Sequence, residues 1–203
     1  FNIGGKPTTF YETTFFHIQS KSLIVTDAVA KISPTVPELN DPELLLLISK
    51  RSTSDAQPED TPKQRQIGWE KTALLVSYFF PEHEELDPNK LGAVTWTDGW
   101  HTNFERLSNR LIVPPVVRTL LYGQNPQRVK EWVDRVVHRW DFTQIIPAHF
   151  SAPVQATPYE FQRVFRFLDD GMVDTFPEED LKRGLQPIAD LVLGGKQKPN
   201  TQN

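Results

Sequence analysis

The chain has 203 residues, of which 38% are hydrophobic and 24% are charged. This composition suits one ordinary globular domain with a sizeable core. The formal net charge of −4 argues against a nucleic-acid or polybasic membrane partner. No cysteine is present, which excludes disulfides, thiolate catalysis and cysteine zinc sites. No apolar run approaches the roughly 20 residues that span a bilayer, so we expect a chain that is soluble or peripheral to a membrane.

A β-hairpin is predicted near the amino terminus. Residues 10–18 are rich in threonine and aromatic side chains, residues 22–29 are rich in branched ones, and a short polar segment separates them. Such side chains favour strands. Alternation along the second strand places Leu23, Val25 and Asp27 on one face. Asp27 is therefore a carboxylate at the end of a buried row, where it either caps a turn or binds a metal.

Two helices follow the hairpin, with a polar segment between them. Asn40 or Asp41 can cap the first helix, which has a proline in its first turn. Residues 51–66 are polar, contain two prolines and lack large apolar side chains, which predicts a mobile surface loop. Residues 67–80 are typical of an amphipathic helix, which the next residue, a proline, ends.

Trp96, Trp100 and His101 form the least ordinary passage, with two tryptophans and a histidine within six residues. These side chains could line a ligand pocket, or they could anchor a protein interface, where tryptophan is over-represented. They could also close one end of the core. The next segment, residues 103–121, predicts two short helices that are broken at a pair of prolines.

The strongest helical pattern begins after Asn125, which can cap a helix that has proline at its first position. A continuous apolar stripe follows at helical spacing; it consists of Val129, Trp132, Val133, Val136, Val137 and Trp140. Residues 143–146 then predict a short buried strand, which Pro147 ends because proline cannot donate to a ladder. His149 lies just beyond the carboxyl end of this strand, which is where α/β sheets bind ligands.

The end of the chain predicts one more well-defined helix. Thr157 and Glu160 fit a capping box, with a proline between them at the first helical position, and the apolar pattern continues to Gly171. Residues 177–193 predict a broken helix, and residues 194–203 a disordered tail. We therefore expect a single domain over residues 1–193.

Three sequence blocks carry a family resemblance. Ser22–Asp27 and Ile145–His149 resemble the second half of the metallo-β-lactamase-like superfamily of metallo-hydrolases. More closely, residues 15–29, 65–70 and 145–150 resemble a domain-of-unknown-function family of cyanobacteria, algae and plant plastids, which is placed in that superfamily. The blocks occur in matching order over about 145 residues, from residue 10 to residue 154.

The resemblance implies an α/β fold: the carboxyl-terminal part of an αββα sandwich, with helices dominating the chain. It places Asp27 at the position of a carboxylate that bridges two metals and His149 at that of a late histidine ligand. His17 is shared with the closer family but matches no ligand position. Metal-assisted hydrolysis of this kind uses zinc, iron or manganese to activate a water molecule.

The chain departs from the superfamily at its metal ligands. It has no His-x-His motif, and the histidine usually found before the hairpin has no counterpart in residues 1–16. Asp27 and His149 fall short of the roughly three or four ligands that hold a zinc ion. The chain also starts at Phe1, and its only methionine is Met172. We therefore expect that an upstream segment is missing. Either that segment contains the first sheet and the other metal ligands, or the family has kept the fold and lost the metal site.

The leading hypothesis is that the chain is a non-catalytic subunit of a larger plastid assembly. The expected assembly is photosynthetic and associated with thylakoids. We assign no catalytic residue and no cofactor to it, and other protein subunits are its expected partners. Ligand or interface candidates are His17, Trp96, Trp100 and His101. One alternative is a dinuclear metal-dependent hydrolase whose remaining ligands lie upstream of Phe1. Another is a small-molecule binding module that uses the tryptophan-rich passage without metal.

Overall fold

A computed structural model of the chain describes residues 2–3, 6–7, 9–52, 54–78, 83–86, 94–96 and 99–169, together with Phe176 and Leu185. The helices in these ranges are α1 (Pro42–Ser49), α2 (Pro62–Tyr78), α3 (Trp100–Leu107), α4 (Pro115–Leu120), α5 (Pro126–Arg139) and α6 (Pro158–Val164). The strands are β1 (Asn2–Ile3), β2 (Lys6–Pro7), β3 (Phe15–His17), β4 (Ser22–Ile24), β5 (Ala30–Lys31), β6 (His83–Leu86), β7 (Val94–Trp96), β8 (Leu111–Ile112), β9 (Gln144–Ile146) and β10 (Val154–Gln155). The fold is mixed α/β.

A four-stranded sheet with the order β10-β9-β4-β3 organises the chain. β3 and β4 form the predicted hairpin, β4 pairs with β9 in parallel, and β10 pairs with β9 in the antiparallel direction. In this register Leu23 lies opposite Ile145, and both are fully buried. The remaining strands form two-stranded pairs, β1 with β2, β5 with β8, and β6 with β7.

One face of the sheet packs on α5 and α6 and forms the first core. The predicted stripe of α5 is confirmed, since Val133 and Val136 are buried and the other members of the stripe pack around the cluster. Phe142 and Phe161 are fully buried beside them, with ring centroids 5.9 Å apart. Burial of each such side chain stabilises the fold by roughly 1.5–3 kcal/mol.

A second core lies among α1, α2 and α3. It contains Leu45, Trp69, Leu74 and Phe104, all nearly inaccessible to solvent. α1 and α2 approach each other closely at Gly68, where a Cβ atom would lie only 2.0 Å from the carbonyl oxygen of Leu45. Glycine at this position is therefore what allows the two helix backbones to touch.

The polar segment predicted as a mobile loop over residues 51–66 is shorter than expected, because α2 already begins at Pro62. The hydroxyl of Thr61 accepts a hydrogen bond from the amide of Gln64, and proline is favoured in the first turn of a helix. The start of the helix is polar, and Gln66, just after the first turn, donates to the carbonyl of Pro34 and accepts from the amide of Val36. The search for apolar periodicity therefore missed the start of α2 at Pro62.

The predicted helix caps are confirmed. Asp41 accepts a hydrogen bond at the start of α1, Asn125 at the start of α5, and Thr157 and Glu160 form the capping box of α6. α6 ends at Val164, before the predicted Gly171, and the three-residue turn Arg166–Leu168 follows it. The broken helix expected over 177–193, apart from Leu185, and the tail 194–203 lie outside the described residues. Of the helices in the described ranges, none combines the length and apolar character needed to cross a membrane.

The close contact at Gly68 gives a stability prediction. Alanine is a better helix former than glycine by about 1 kcal/mol, but at this position its Cβ would overlap the backbone of α1. We expect Gly68→Ala to be less stable than wild type by about 2 kcal/mol, measured by urea denaturation. The steric overlap with α1 destabilises the protein by more than the higher helix propensity of alanine stabilises it. At Gly123 the same Cβ would lie 3.1 Å from the nearest atom, so Gly123→Ala should cost less. Equal stability of Gly68→Ala and wild type would contradict the close packing.

Candidate functional site

Two parallel strands end side by side at one edge of the sheet. Beyond β4 and β9 the pairing continues through two further hydrogen bonds, from the amide of Val25 to the carbonyl of Ile146 (3.1 Å) and from the amide of Ala148 to the carbonyl of Thr26 (3.2 Å). Because carboxyl ends of adjacent parallel strands share an edge, the residues that follow them are brought together.

Asp27 and His149, the two predicted metal ligands, are in direct contact at this edge. Asp27 Oδ1 lies 3.1 Å from His149 Nε2, and the side chains are 39% and 67% exposed. An exposed ion pair of this kind contributes only about 0–1 kcal/mol to stability. The two groups are therefore accessible to solvent and contribute little to the stability of the fold, and their role as metal ligands stays a prediction.

Glu12 fixes the strand end that carries Asp27. Its Oε1 accepts a hydrogen bond from the amide of Thr26 at 2.8 Å, and its Oε2 accepts from the Thr26 hydroxyl at 2.5 Å and from the amide of Asp27 at 3.3 Å. Hydrogen bonds to an ionised acceptor are among the stronger ones in proteins. The backbone that positions Asp27 is thus held by a carboxylate fourteen residues upstream.

Phe150 fixes the turn that carries His149. Its φ of 67° lies in the left-handed region, which is unfavourable for a bulky residue and persists only where surrounding contacts enforce it. Its ring packs edge-on against Trp69 of the second core, with centroids 6.1 Å apart, and the amide of Ser151 donates to the carbonyl of Lys31. The second core therefore holds Phe150 inward while His149 turns toward Asp27.

Tyr122 is a buried residue with an unsatisfied hydroxyl. The residue is 6% exposed, and its hydroxyl oxygen has no hydrogen-bond partner among the residues that the structure describes. Burial raises the pKa of Tyr122 well above its usual range, and the negative charges of Glu12 and Asp27 raise that pKa further. The hydroxyl is thus protonated at neutral pH.

His17 lies away from Asp27 and His149. It pairs with Ser22 at the opposite end of β4, and its Nδ1 contacts the hydroxyl of Ser20 at 2.7 Å. The structure therefore does not bring His17 into the group formed by Asp27 and His149.

The tryptophan-rich passage belongs to the second core. Trp96 is 4% exposed, and the Trp96 and Trp100 rings meet edge to face at 6.0 Å. The ammonium of Lys71 lies 5.0 Å from the Trp96 ring centroid and donates to the carbonyls of Ser49 and Lys50. The packing fits the interpretation in which these tryptophans close one end of the core.

His101, by contrast, lies on the surface of this region. Its Nδ1 is 2.7 Å from an oxygen of Glu70, whose side chain is 7% exposed while that of His101 is 54% exposed. Gln66 donates to the other oxygen of Glu70, so both carboxylate oxygens have partners. The pair is oriented and accessible, and it is separate from Asp27 and His149.

Metal binding by the described residues is incomplete. Asp27 and His149 supply two donor atoms, whereas a catalytic zinc ion takes three protein ligands. Glu12, whose carboxylate bonds to the backbone beside Asp27, already accepts three hydrogen bonds. Within the described ranges no group of three or more histidine, cysteine, aspartate and glutamate side chains is placed to hold a metal ion. The residues present therefore do not fit a complete metal site by themselves.

Comparison with known proteins gives a family. The family described as Domain of unknown function (DUF4336) matches residues 2–167, which is most of the chain, and the chain therefore belongs to it. The match includes Asp27, His149, Glu12 and Tyr122. No curated protein and no solved structure gives a significant match.

Sequence reasoning missed three residues of this edge: Glu12, Tyr122 and Phe150. A signal for Glu12 was present, since alternation along the first hairpin strand puts Glu12 and Thr14 on the same face as Phe16, which packs on the first core. An acidic residue on the inward face of a strand needs a partner. The unsatisfied hydroxyl of Tyr122 and the left-handed backbone of Phe150 had no signal in the sequence, because they depend on contacts between distant segments.

The buried ammonium of Lys71 gives a pH prediction. Burial lowers the pKa of Lys71 to about 8, against about 10.4 for a lysine in an unfolded chain. Between these values the folded state has lost a proton that the unfolded state keeps, so this group makes the protein more stable as pH rises. We expect wild type to gain on the order of 2 kcal/mol relative to Lys71→Met between pH 8 and 10.5, measured by urea denaturation. Lys63→Met, at an exposed lysine, is the control, and a flat difference for Lys71→Met would refute the low pKa.

Proposed function

We propose that this chain is a metallo-β-lactamase-like domain that works without catalysis as a subunit of a larger plastid assembly. Two features support the proposal. Asp27 and His149 meet at the carboxyl ends of adjacent parallel strands, as the resemblance requires, and the outer face of the sheet carries exposed apolar side chains. The second feature carries the argument for a partner.

The outer face of the sheet bears a row of three apolar side chains. Phe15, Ile24 and Ile146 are neighbours in register across β3, β4 and β9. Phe15 is 61% exposed, and Ile24 and Ile146 are only partly buried and pack on neither core. In an αββα sandwich a second sheet lies against this face. We infer that a partner subunit covers it here, because contiguous exposed apolar surface is typical of interaction sites.

Polar side chains along the same sheet are already ordered by hydrogen bonds. The Nε2 of Gln144 donates to the hydroxyl of Ser22 at 2.7 Å, and the Nε2 of Gln155 donates to Oε1 of Gln144 at 3.1 Å. The hydroxyls of Ser20 and Ser22 are 2.6 Å apart, and Ser20 contacts His17. An apolar centre bordered by satisfied polar groups resembles the anatomy of protein interfaces, and in this way His17 contributes to the proposed interface.

The non-catalytic part of the proposal rests on the donor set. Asp27 and His149 contact each other, and the described residues supply no third donor beside them. In this interpretation the pair is a polar contact at the rim of the domain. The plastid location and the thylakoid association follow from the resemblance of the three sequence blocks alone.

A metal-dependent hydrolase is the second candidate. The 3.1 Å between Asp27 Oδ1 and His149 Nε2 is close to the roughly 3.3 Å that separates two ligands of one tetrahedral zinc ion. Further ligands would come from outside the described residues. Zinc, iron or manganese would then supply Lewis acidity and a bound hydroxide.

Metal content separates the two candidates. We expect the full-length protein, purified without chelator, to contain less than about 0.1 zinc, iron or manganese ion per chain by plasma mass spectrometry, because two donors bind metal weakly. His149→Ala should leave this value unchanged. His138→Ala, on the exposed side of α5, is the control. If wild type and His138→Ala contain near-stoichiometric metal and His149→Ala does not, the hydrolase hypothesis replaces the subunit hypothesis.

The proposed interface gives a second prediction. In native electrophoresis of plastid extracts we expect the tagged full-length protein to migrate well above its monomer mass, and Phe15→Glu to shift it toward the monomer, because a buried charge opposes association. Tyr159→Glu is a matched control, since Tyr159 is 68% exposed on α6, away from this face. The purified variants should keep thermal midpoints within a few degrees of wild type. Migration of wild type as a monomer, or of Phe15→Glu with the large species, would exclude this interface.

A further inference from the structure

Glu70, His101 and Glu105 form a second group of ionisable side chains, where α2 meets α3. Glu70 belongs to α2, whereas His101 and Glu105 lie four positions apart on α3. Residues at this spacing share one face of a helix. Their side chains are 54% and 66% exposed, whereas that of Glu70 is only 7% exposed. The group therefore combines a buried carboxylate with two accessible donor side chains.

The buried carboxylate of Glu70 determines the state of the His101 ring. An ionised carboxylate only accepts hydrogen bonds, so Nδ1 of His101, which lies 2.7 Å from Oε2 of Glu70, carries a proton and donates. Gln66 donates to Oε1 of Glu70 at 2.8 Å, which holds the carboxylate in turn. In the neutral ring the other nitrogen, Nε2, then bears the lone pair. Glu70 therefore fixes both the tautomer and the orientation of His101.

A second carboxylate lies near Nε2 at a distance suited to a shared ion. Nε2 of His101 is 3.6 Å from Oε1 of Glu105, which is longer than a hydrogen bond between nitrogen and oxygen. Two ligands of one tetrahedral zinc ion, each about 2.0–2.2 Å from the metal, are roughly 3.3–3.5 Å apart. A small rotation of the exposed Glu105 side chain thus places both atoms around one ion.

We propose that His101 and Glu105 bind zinc or a similar divalent transition-metal ion, with Glu70 as the positioning residue behind His101. A histidine that binds a metal through one nitrogen commonly donates its other N–H to a carboxylate, which fixes the ring and makes it a better ligand. The contact between Glu70 and His101 has this arrangement. The inference does not depend on the proposed subunit role, since these residues lie on α2 and α3 and not on the sheet.

The proposed site is an exchangeable one, because it has two protein ligands. Within the described ranges no third histidine, aspartate or glutamate side chain is placed to complete a metal site, so water supplies the remaining ligands. Such a site differs from a catalytic zinc centre, which takes three protein ligands. It is filled when metal is supplied and loses the ion during purification, which agrees with a low metal content of the purified protein.

Nuclear magnetic resonance of the imidazole nitrogens tests the assignment. The full chain has five histidines, so single substitutions assign every ring, and a His149→Ala background removes the other candidate metal pair. We expect zinc chloride to shift Nε2 of His101 with half-saturation below about 0.1 mM. His138 is the matched control, because it lies four positions from Asp134 on α5 but its Nδ1 contacts a backbone carbonyl and not a buried carboxylate. It should need at least about tenfold more zinc.

Variants then separate the metal ligands from the positioning residue, by calorimetric titration with zinc in the same background. Glu105→Gln should bind zinc about tenfold more weakly, and its exposed position leaves the core undisturbed. Glu131→Gln, at an exposed glutamate of α5, should change nothing. Glu70→Gln should weaken zinc about 10–100-fold and raise the fraction of His101 with its proton on Nε2, which the nitrogen shifts report.

Three outcomes would overturn the metal site: no saturable shift of Nε2 of His101 below about 0.1 mM zinc, an equal response of His138, or wild-type affinity in Glu105→Gln. An unchanged zinc affinity and tautomer balance in Glu70→Gln would overturn the positioning role of Glu70.

Discussion

The parallel pairing of β4 with β9 is the contact on which the rest of the structure depends. It joins segments about 120 residues apart and sets Leu23 opposite Ile145 at the centre of the first core. Because side chains alternate along a strand, a shift of one residue would turn both out of the core. The same register fixes where the two strands end, and it is the reason that Asp27 and His149 meet.

Two cores support this edge from different directions. Core residues from the sheet, α5 and α6 lie beneath the strands, whereas the second core, from α1, α2 and α3, reaches the edge through Phe150 and its contact with Trp69. The turn at His149 is therefore held by α2, which lies about 80 residues earlier in the sequence. A change in the second core can move His149 without touching it.

The proposed interface lies on the outer face of the sheet, at Phe15, Ile24 and Ile146. A cavity lined by Glu12, Tyr122 and Trp132 lies beside α5. Glu12 connects the two regions, because its carboxylate holds the end of β4 and also lines the cavity.

Sequence alone determined the elements whose causes are local. The caps at Asp41, Asn125 and Thr157, the stripe of α5 and the strand before Pro147 follow from hydrogen bonding and periodicity over a few residues. Sequence alone missed the start of α2, which is polar and contains Gln66, whose side chain bonds to residues about 30 positions away. The pairing of Asp27 with His149 was expected only through resemblance. Only the tertiary structure determines three further features: the hydrogen bonds from Thr26 and Asp27 to Glu12, the left-handed backbone of Phe150 and the unsatisfied hydroxyl of Tyr122. Each of them arises from contacts between segments that no local sequence pattern relates.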